Sequence, residues 1–415
     1  MKGTLENRTT APYSEQQQYP SRGKARLFPN VQFIYELVLA QLELHSLGAA
    51  FKMDDELSGV TLLNVGDDTR LKRRLAYFQT VNGESTDYSY ISQKNRTRSV
   101  NQYLTHWIYP YKGKIHPQMI RAALNIIGVE PGETVLDPFV GSGTTALEAQ
   151  LLGVNSVGLD ASPLCVLQSR VKTASHEAIK EIREQCEALM ALNQAEMALD
   201  GKALNPFTPI ADQRVQDFFR LAKLVALSDS VRRKKDFASA LHARTKLMMQ
   251  SVTDYDQIRT ELKLSLGRAT IEQGDARALL LRDESIDGII TSPPYAIALD
   301  YIKNDAHALE ALGLDIREMR EQFVGLRGRK NERVRLYNQD MKMSLDEMTR
   351  VLKPNRYALI VIGNATYEGR TLESVEHIVK HASEIGLRLT NRINKTIFGL
   401  YSVMQRETVL ILKKD

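Results

Sequence analysis

The sequence predicts an α/β fold: a sheet of about seven strands, interrupted by a helical insertion and preceded by a small α/β module. Three observations predict it. Short apolar runs at 134–137, 156–160 and 286–290 each end at a turn or a carboxylate, as buried strands do. Between 176 and 267 the apolar period changes to three- and four-residue steps. Near the end, Leu387–Ile397 and Glu407–Leu412 read as a closing antiparallel pair.

Taken in order, residues 1–25 are polar, with a glutamine run, and read as a flexible tail. Residues 26–100 read as the small N-terminal module. In it Phe33, Ile34, Leu37, Val38, Leu42, Leu44 and Leu47 have mostly helical spacing, and Gly59–Val65 reads as a strand. A catalytic domain is expected over 101–175 and 268–415. Its first part holds the strand Thr134–Asp137, a glycine turn, a helix from Thr144 to Leu152 and the strand Ser156–Asp160, a βαβ unit. The second part holds strands at 270–272, 286–290 and 357–362. Residues 176–267 form the insertion. Ile179, Ile182, Cys186, Leu189 and Leu192 make one helical stripe, and Phe218, Leu221, Leu224 and Val225 make another. Asn205-Pro206 and Thr208-Pro209 break it in the middle.

A chain of 415 residues with 43% hydrophobic and 25% charged residues buries a sizeable core, which excludes a disordered or fibrous protein. Net charge is +5 and the pI about 8.9, which permits a polyanionic partner without demanding one. Two cysteines, Cys165 and Cys186, exclude both a disulfide scaffold and a four-cysteine zinc site. No apolar stretch is long enough to span a membrane. The first 21 residues lack the apolar core of a signal peptide, so a reducing, cytoplasmic location is expected.

Gly141 and Gly143 lie between a strand and a helix, where the chain must turn tightly and a ligand can approach backbone N–H groups. Packing alone also explains such glycines. Asp160 ends the next strand, 17 residues after Gly143, where a carboxylate is placed to bind ribose hydroxyls. Asp275 ends the third strand, where it can accept a hydrogen bond from an adenine amino group. The turn has no phosphate-binding lysine, so the pattern favours an adenosine-bearing ligand without a triphosphate.

Ser292-Pro293-Pro294-Tyr295 follows a buried strand. Two prolines stiffen the backbone and remove two donors, leaving carbonyls and the Ser292 hydroxyl as acceptors. An exocyclic amine offers two N–H donors to such a cluster. Accepting both favours the pyramidal nitrogen and frees its lone pair. Tyr295 supplies a flat face for a base swung out of its stack. Taken alone, the same four residues are a stiff loop. Chemistry at C5 of a pyrimidine would need a cysteine nucleophile, and both cysteines read as small core residues instead.

These residues carry a resemblance. Asp137-Pro138-Phe139-Val140-Gly141-Ser142-Gly143-Thr144-Thr145 resembles the cofactor motif of amino-methylating DNA methyltransferases. Thr291-Ser292-Pro293-Pro294-Tyr295 resembles their catalytic motif, in the serine form typical of cytosine-N4 members; adenine-N6 members more often have Asp or Asn in place of Ser292. Tyr109-Pro110-Tyr111-Lys112-Gly113-Lys114-Ile115-His116-Pro117 is similar to the family segment that closes over the methionine part of the cofactor. Leu352-Lys353-Pro354-Asn355 resembles the stretch before the fifth strand. The likeness covers residues 100–175 and 268–415. It implies a Rossmann-like seven-stranded methyltransferase sheet, one strand antiparallel, with the helical insertion and the small N-terminal α/β module added. It implies S-adenosylmethionine as cofactor, held by Lys114, His116, Asp137, Phe139, Gly141, Gly143, Thr144, Asp160 and Asp275. It implies Ser292, Pro293, Pro294 and Tyr295 as the catalytic residues, and DNA cytosine N4 as the methyl acceptor.

Two features depart from the family's cytosine-N4 pattern. The cofactor motif precedes the catalytic one, and the insertion, a candidate target-recognition region or a structural cap, is long. Residues 30–95 weakly resemble the N-terminal module of tRNA guanine-N2 methyltransferases, which share this motif order. The rivals are therefore adenine N6 in DNA, guanine N2 in tRNA, and an inactive cofactor-binding module that recognises nucleic acid. A cognate restriction nuclease is a possible partner. Seven basic residues and three glutamates between Arg317 and Arg335 leave an excess of four positive charges. Arg327, Arg329, Lys330 and Arg333 are the candidate phosphate contacts there, against the plainer reading of a solvated charged loop. Arg232-Arg233-Lys234-Lys235 is a second basic run that a helix face explains equally well. Asp300-Tyr301 is a candidate wall of the base pocket.

Overall fold

The computed structural model describes residues 23–64, 67–94, 101–191, 211–295, 301–328, 331–367, 370–398 and 404–415. Its first elements are β1 (Gly23–Leu27), α1 (Ile34–Ser46), β2 (Ala50–Met53), β3 (Gly59–Asn64), α2 (Asp68–Arg74), β4 (Phe78–Val81), β5 (Glu84–Ser85) and α3 (Asp87–Gln93). The five strands form one antiparallel sheet in the order β2-β3-β1-β4-β5. One boundary is corrected. Residues 23–25 were expected in the flexible tail, yet β1 begins at Gly23 and runs through the centre of this sheet. The reason is alternation: Ala25 and Leu27 point inward and are buried between β3 and β4.

Next come α4 (Pro117–Ile126), β6 (Thr134–Asp137), α5 (Thr144–Leu151), β7 (Asn155–Asp160) and α6 (Pro163–Ala174). Pro117 and Pro163 open their helices, where a missing N–H costs nothing. The insertion supplies α7 (Ile179–Ala191), α8 (Gln213–Arg233) and α9 (Phe237–Glu261). Asp212 and Asp236 cap the last two by accepting bonds from first-turn N–H groups. The stripes expected there are buried, with Ile182, Cys186, Leu189, Phe218, Leu221, Leu224 and Val225 in one core beside Leu164 and Leu167 of α6. Leu192 and the proline break at 205–209 lie outside the described residues. The chain then runs through β8 (Ala269–Gln273), β9 (Ile286–Thr291), α10 (Tyr301–Ala311), α11 (Ile316–Gln322), α12 (Asn331–Val351), β10 (Leu352–Gly363), β11 (Ala365–Tyr367), β12 (Arg370–Leu372), α13 (Ser374–Glu384), β13 (Leu387–Phe398) and β14 (Met404–Lys414).

Among the described residues the main sheet has seven strands in the order β13-β14-β10-β9-β6-β7-β8. Only β14 runs antiparallel to its neighbours, as the sequence led us to expect. Side chains alternate between two cores. Val135, Ile290, Leu359, Val361, Val409 and Ile411 face α4 and the small sheet. Leu136, Ile289, Ile360, Ile362, Leu410 and Leu412 face α12 and α13. The first of these cores is continuous with that of the small sheet, because Leu39, Ala40 and Leu44 of α1 belong to the same cluster. Strand order reverses between β6 and β9. A crevice opens at such a point, outside the carboxyl ends of the strands. No described helix is long and apolar enough to cross a membrane.

Candidate functional site

The crevice is a cavity of about 620 Å³ over the carboxyl ends of β6, β7, β8 and β9. Of the residues singled out from sequence, Lys114, His116, Asp137, Phe139, Gly141, Thr144, Asp160, Asp275, Ser292, Pro294 and Tyr295 line it. Pro293 is buried just behind the wall.

The glycine turn is held by the chain's own groups. Gly141 donates its N–H to Asp160 Oδ2 at 2.9 Å. Its carbonyl accepts from Gln168 Nε2 at 3.1 Å, and the Ser142 carbonyl accepts from buried Lys172 Nζ at 2.8 Å. Gly143 has φ of +76°, and a Cβ there would lie 2.7 Å from Ser169 Oγ on α6. The bare Cα of Gly143 thus serves the turn and the close approach of α6.

Asp160 keeps both oxygens occupied by backbone, Oδ1 by Ser162 N–H at 2.9 Å and Oδ2 by Gly141. Burial raises its carboxyl to about 6. Asp137 accepts from the Thr291 hydroxyl at 2.6 Å and from Phe139 N–H at 3.2 Å, and burial raises it to about 6 as well. The Asp137–Thr291 bond ties the end of β6 to the end of β9, and so joins the two motifs. Asp275 is half exposed. Partial burial works to raise its carboxyl, but the bonds from Arg277 Nε at 2.9 Å and Nη2 at 2.7 Å hold it below its ordinary value. Three carboxylates at three adjacent strand ends, with lone pairs left over, suit the hydroxyls and amino group of an adenosine. The residues present therefore fit the expected cofactor.

On the facing wall, Lys114 donates to the carbonyls of Asn101 at 2.6 Å and His106 at 3.1 Å. Burial, with Lys172 nearby, lowers its ammonium to about 6. His116 is lowered to about 3, by burial and then by Lys395 and Lys114, so its imidazole is neutral at physiological pH. Cys165 on α6 also lines the cavity, closer to the site than its reading as core suggested. Burial raises its thiol well above the ordinary value, which makes it a poor nucleophile.

At the far end, Ser292 to Tyr295 leave β9 and reach the cavity. The Tyr295 hydroxyl donates to Glu407 Oε1 at 2.5 Å, and Lys395 Nζ holds Glu407 Oε2 at 2.6 Å. Tyr35 of α1 lines the cavity too. Sequence reasoning missed Tyr35, Lys395 and Glu407. No local signal marked them: Lys395 is one of three charges in β13 and Glu407 one of four in β14.

In the basic segment, Arg327 Nη2 lies 3.0 Å from Asp340 Oδ1. Asp340 is buried, so its carboxylate draws in cations, and Arg277 also reaches it at 3.1 Å. Arg333 is half-buried and donates at 3.4 Å to the Gly328 carbonyl. Arg329 and Lys330 lie outside the described residues, as does Asp300. Arg232 sits at the tip of α8 and donates to the Asn304 carbonyl on α10. Among the described residues no cluster of His, Cys, Asp or Glu could hold a metal ion.

Comparison with known proteins bears out the resemblance. Residues 14–169 match the family model described as DNA methylase, of the N6/N4 type. The match takes in the glycine turn and ends before Ser292. The chain is similar to the Type II methyltransferase M.MjaII of Methanocaldococcus jannaschii, with 38% identity over 22% of this chain and 16% of that protein. It is similar to the Type II methyltransferase M.BsoBI of Geobacillus stearothermophilus, with 26% identity over 53% of this chain and 55% of that protein. A shorter likeness joins it to the tRNA (guanine(10)-N2)-dimethyltransferase of Methanothermobacter thermautotrophicus, with 44% identity over 12% of this chain and 15% of that protein. The chain spans about half of M.BsoBI and a sixth of M.MjaII. S-adenosylmethionine is the cofactor of the amino-methylating DNA methyltransferases that this chain resembles.

Proposed function

We propose that this protein methylates an exocyclic amine of a DNA base, with S-adenosylmethionine as donor, N4 of cytosine as acceptor and the cytoplasm as its location. One observation carries the reading. Ser292-Pro293-Pro294-Tyr295 and the Asp160-bonded glycine turn open into one cavity, tied together by the Thr291–Asp137 bond.

The cofactor, when bound, supplies an electrophilic methyl group on a sulfonium. The chain's own residues do the rest by positioning. Asp160 and Asp275 offer acceptors to the ribose and adenine parts. Lys114 and His116 line the opposite wall. His116 brings no positive charge toward a cationic ligand, and Lys114, its charge disfavoured by burial, has its amino group turned to two carbonyls. Ser292 and the carbonyls beside the two prolines accept from the two amine protons and turn the lone pair toward the donor. Tyr295 gives the extruded base a flat surface to lie on.

The serine at position 292 favours cytosine N4 over adenine N6. Guanine N2 of tRNA is the second reading, favoured by the likeness to tRNA guanine-N2 dimethyltransferases. Methyl transfer from labelled S-adenosylmethionine to genomic DNA and to bulk tRNA, followed by nucleoside analysis, tests both. N4-methylcytosine in DNA is the expected product. Label in tRNA guanine, or N6-methyladenine in DNA, would replace the acceptor. No label in either would leave a cofactor-binding module without turnover.

A further inference from the structure

Gly363, Glu407 and Lys395 form a single row across three strands. Gly363 of β10 is the register partner of Glu407 of β14, and Glu407 is the partner of Lys395 of β13. Partners across a ladder share a face of the sheet. This is the face that, two residues along, carries Val361, Val409 and Ile393, all buried in the core against α4 and the small sheet. The row interrupts an otherwise apolar surface with a carboxylate and an ammonium. Lys395 is only 8% exposed. A well-packed apolar pair would serve stability at least as well as a desolvated ion pair.

The row has a specific neighbour. A Cβ on Gly363 would lie 3.5 Å from Cε2 of the Tyr295 ring, and Glu407 accepts the Tyr295 hydroxyl. The phenol therefore lies across the sheet where one strand has no side chain and the next presents an acceptor. Gly325, with φ of +82°, brings its backbone close beneath the Tyr295 carbonyl. The two prolines before Tyr295 stiffen its backbone, but they leave χ1 and χ2 free.

We infer that Glu407 and Lys395 are positioning residues for methyl transfer: Glu407 fixes the angle of the Tyr295 ring through its hydroxyl, and Lys395 holds Glu407 in place. The inference rests on the proposed role of Tyr295 as the surface for the base. Gly363 is the third member, since a Cβ there would already be in van der Waals contact with the ring and the bare Cα leaves the phenol its place in the row.

A double-mutant cycle tests it, run on whichever nucleic acid the wild-type protein methylates. Tyr295→Phe and Glu407→Leu each lower kcat by about 10- to 100-fold, while KM for S-adenosylmethionine stays within about twofold. Combining them costs no more than the worse single change, because both remove the same bond. Glu407→Gln, whose amide oxygen still accepts, loses less than Glu407→Leu. Losses that multiply in the double mutant would overturn the inference. If Glu407→Leu does not fold, Glu407→Leu with Lys395→Met keeps the row apolar and carries the same expectation. A crystal structure of that variant gives a readout independent of turnover. The Tyr295 ring should shift or take more than one rotamer, and an unmoved ring would sink the idea. A wild-type protein that leaves DNA unlabelled would overturn the proposed function, while the ring position would still decide this inference.

Discussion

The two ends of the cavity are built by different means. At the end proposed for the cofactor, one stretch from Thr134 to Asp160 supplies the strands, the turn, the helix and the Asp160 carboxylate. The bonds that fix it are mostly to backbone groups. At the base end, Tyr35, Tyr295, Gly363, Lys395 and Glu407 come from five separate elements or loops and meet only in the folded chain. A turn whose bonds are local is specified by residue types at fixed spacing. A ring clamped by a distant strand is specified by register, which no local pattern states.

The contrast predicts a clean division of phenotypes. The largest effect is expected at the base end. Tyr295→Ala removes the stacking surface and lowers kcat by about 100-fold or more, with cofactor affinity within about twofold of wild type. Loss of cofactor binding instead, measured by calorimetry, would mean the two ends are one unit. Asp160→Ala is the reciprocal change. It removes a charged acceptor and the partner of the Gly141 N–H, and should weaken the cofactor by about 10- to 100-fold. Its kcat at saturating cofactor should fall much less.

Gly143→Ala separates fold from ligand. A Cβ at φ of +76°, 2.7 Å from Ser169 Oγ, should cost about 1–3 kcal/mol of stability in a denaturant melt. Ser169→Gly in the same chain should relieve part of that cost. No relief would mean that backbone strain alone sets it.

The smallest effect is a pH dependence of cofactor affinity. Asp160 and Asp137 are both raised to about 6 by burial, so in the free protein they lose charge as pH falls through 6. A hydroxyl donor on Asp160 favours its ionised form and lowers its pKa in the complex. Affinity is therefore full above pH 6 and falls below it, by less than about tenfold per pH unit. Stability moves the other way. A carboxyl raised on folding favours the fold most below its unfolded value, and that advantage is lost as pH rises through 6. Asp160→Asn should flatten its share of the affinity profile while leaving the share of Asp137.

Much of the fold was legible because its signals are short-range. The runs at 134–137, 156–160 and 286–290 are strands, and the insertion supplies the helices Ile179–Ala191, Gln213–Arg233 and Phe237–Glu261 with Ile182, Cys186, Leu189, Phe218, Leu221, Leu224 and Val225 buried. The start of β1 was missed because its alternation sits in a segment read by polarity. The ion pair of Arg327 was not legible, because a basic cluster shows its charge but not the buried Asp340 that the fold brings beside it. The packing of Gly143 against Ser169 was not legible, because spacing cannot tell which neighbour needs the missing Cβ. Glu407 and Lys395 are two of the seven charges in the closing strands, and their meaning depends on Gly363 and Tyr295 lying beside them.

The core shared by the small sheet and the large one has an evolutionary consequence. Leu39, Ala40 and Leu44 of α1 pack in the same cluster as Val361, Val409 and Ile411, and Tyr35 of the same helix reaches the cavity wall. A unit joined by a flexible linker can be traded between lineages with little repair. This one is not readily exchanged as a cassette, because replacing it would uncover part of one face of the main sheet, beside α4, and remove the Tyr35 wall of the site in the same step. Changes in acceptor preference that involve Tyr35 must therefore arise in small, mutually adjusted substitutions on both sides of the shared core.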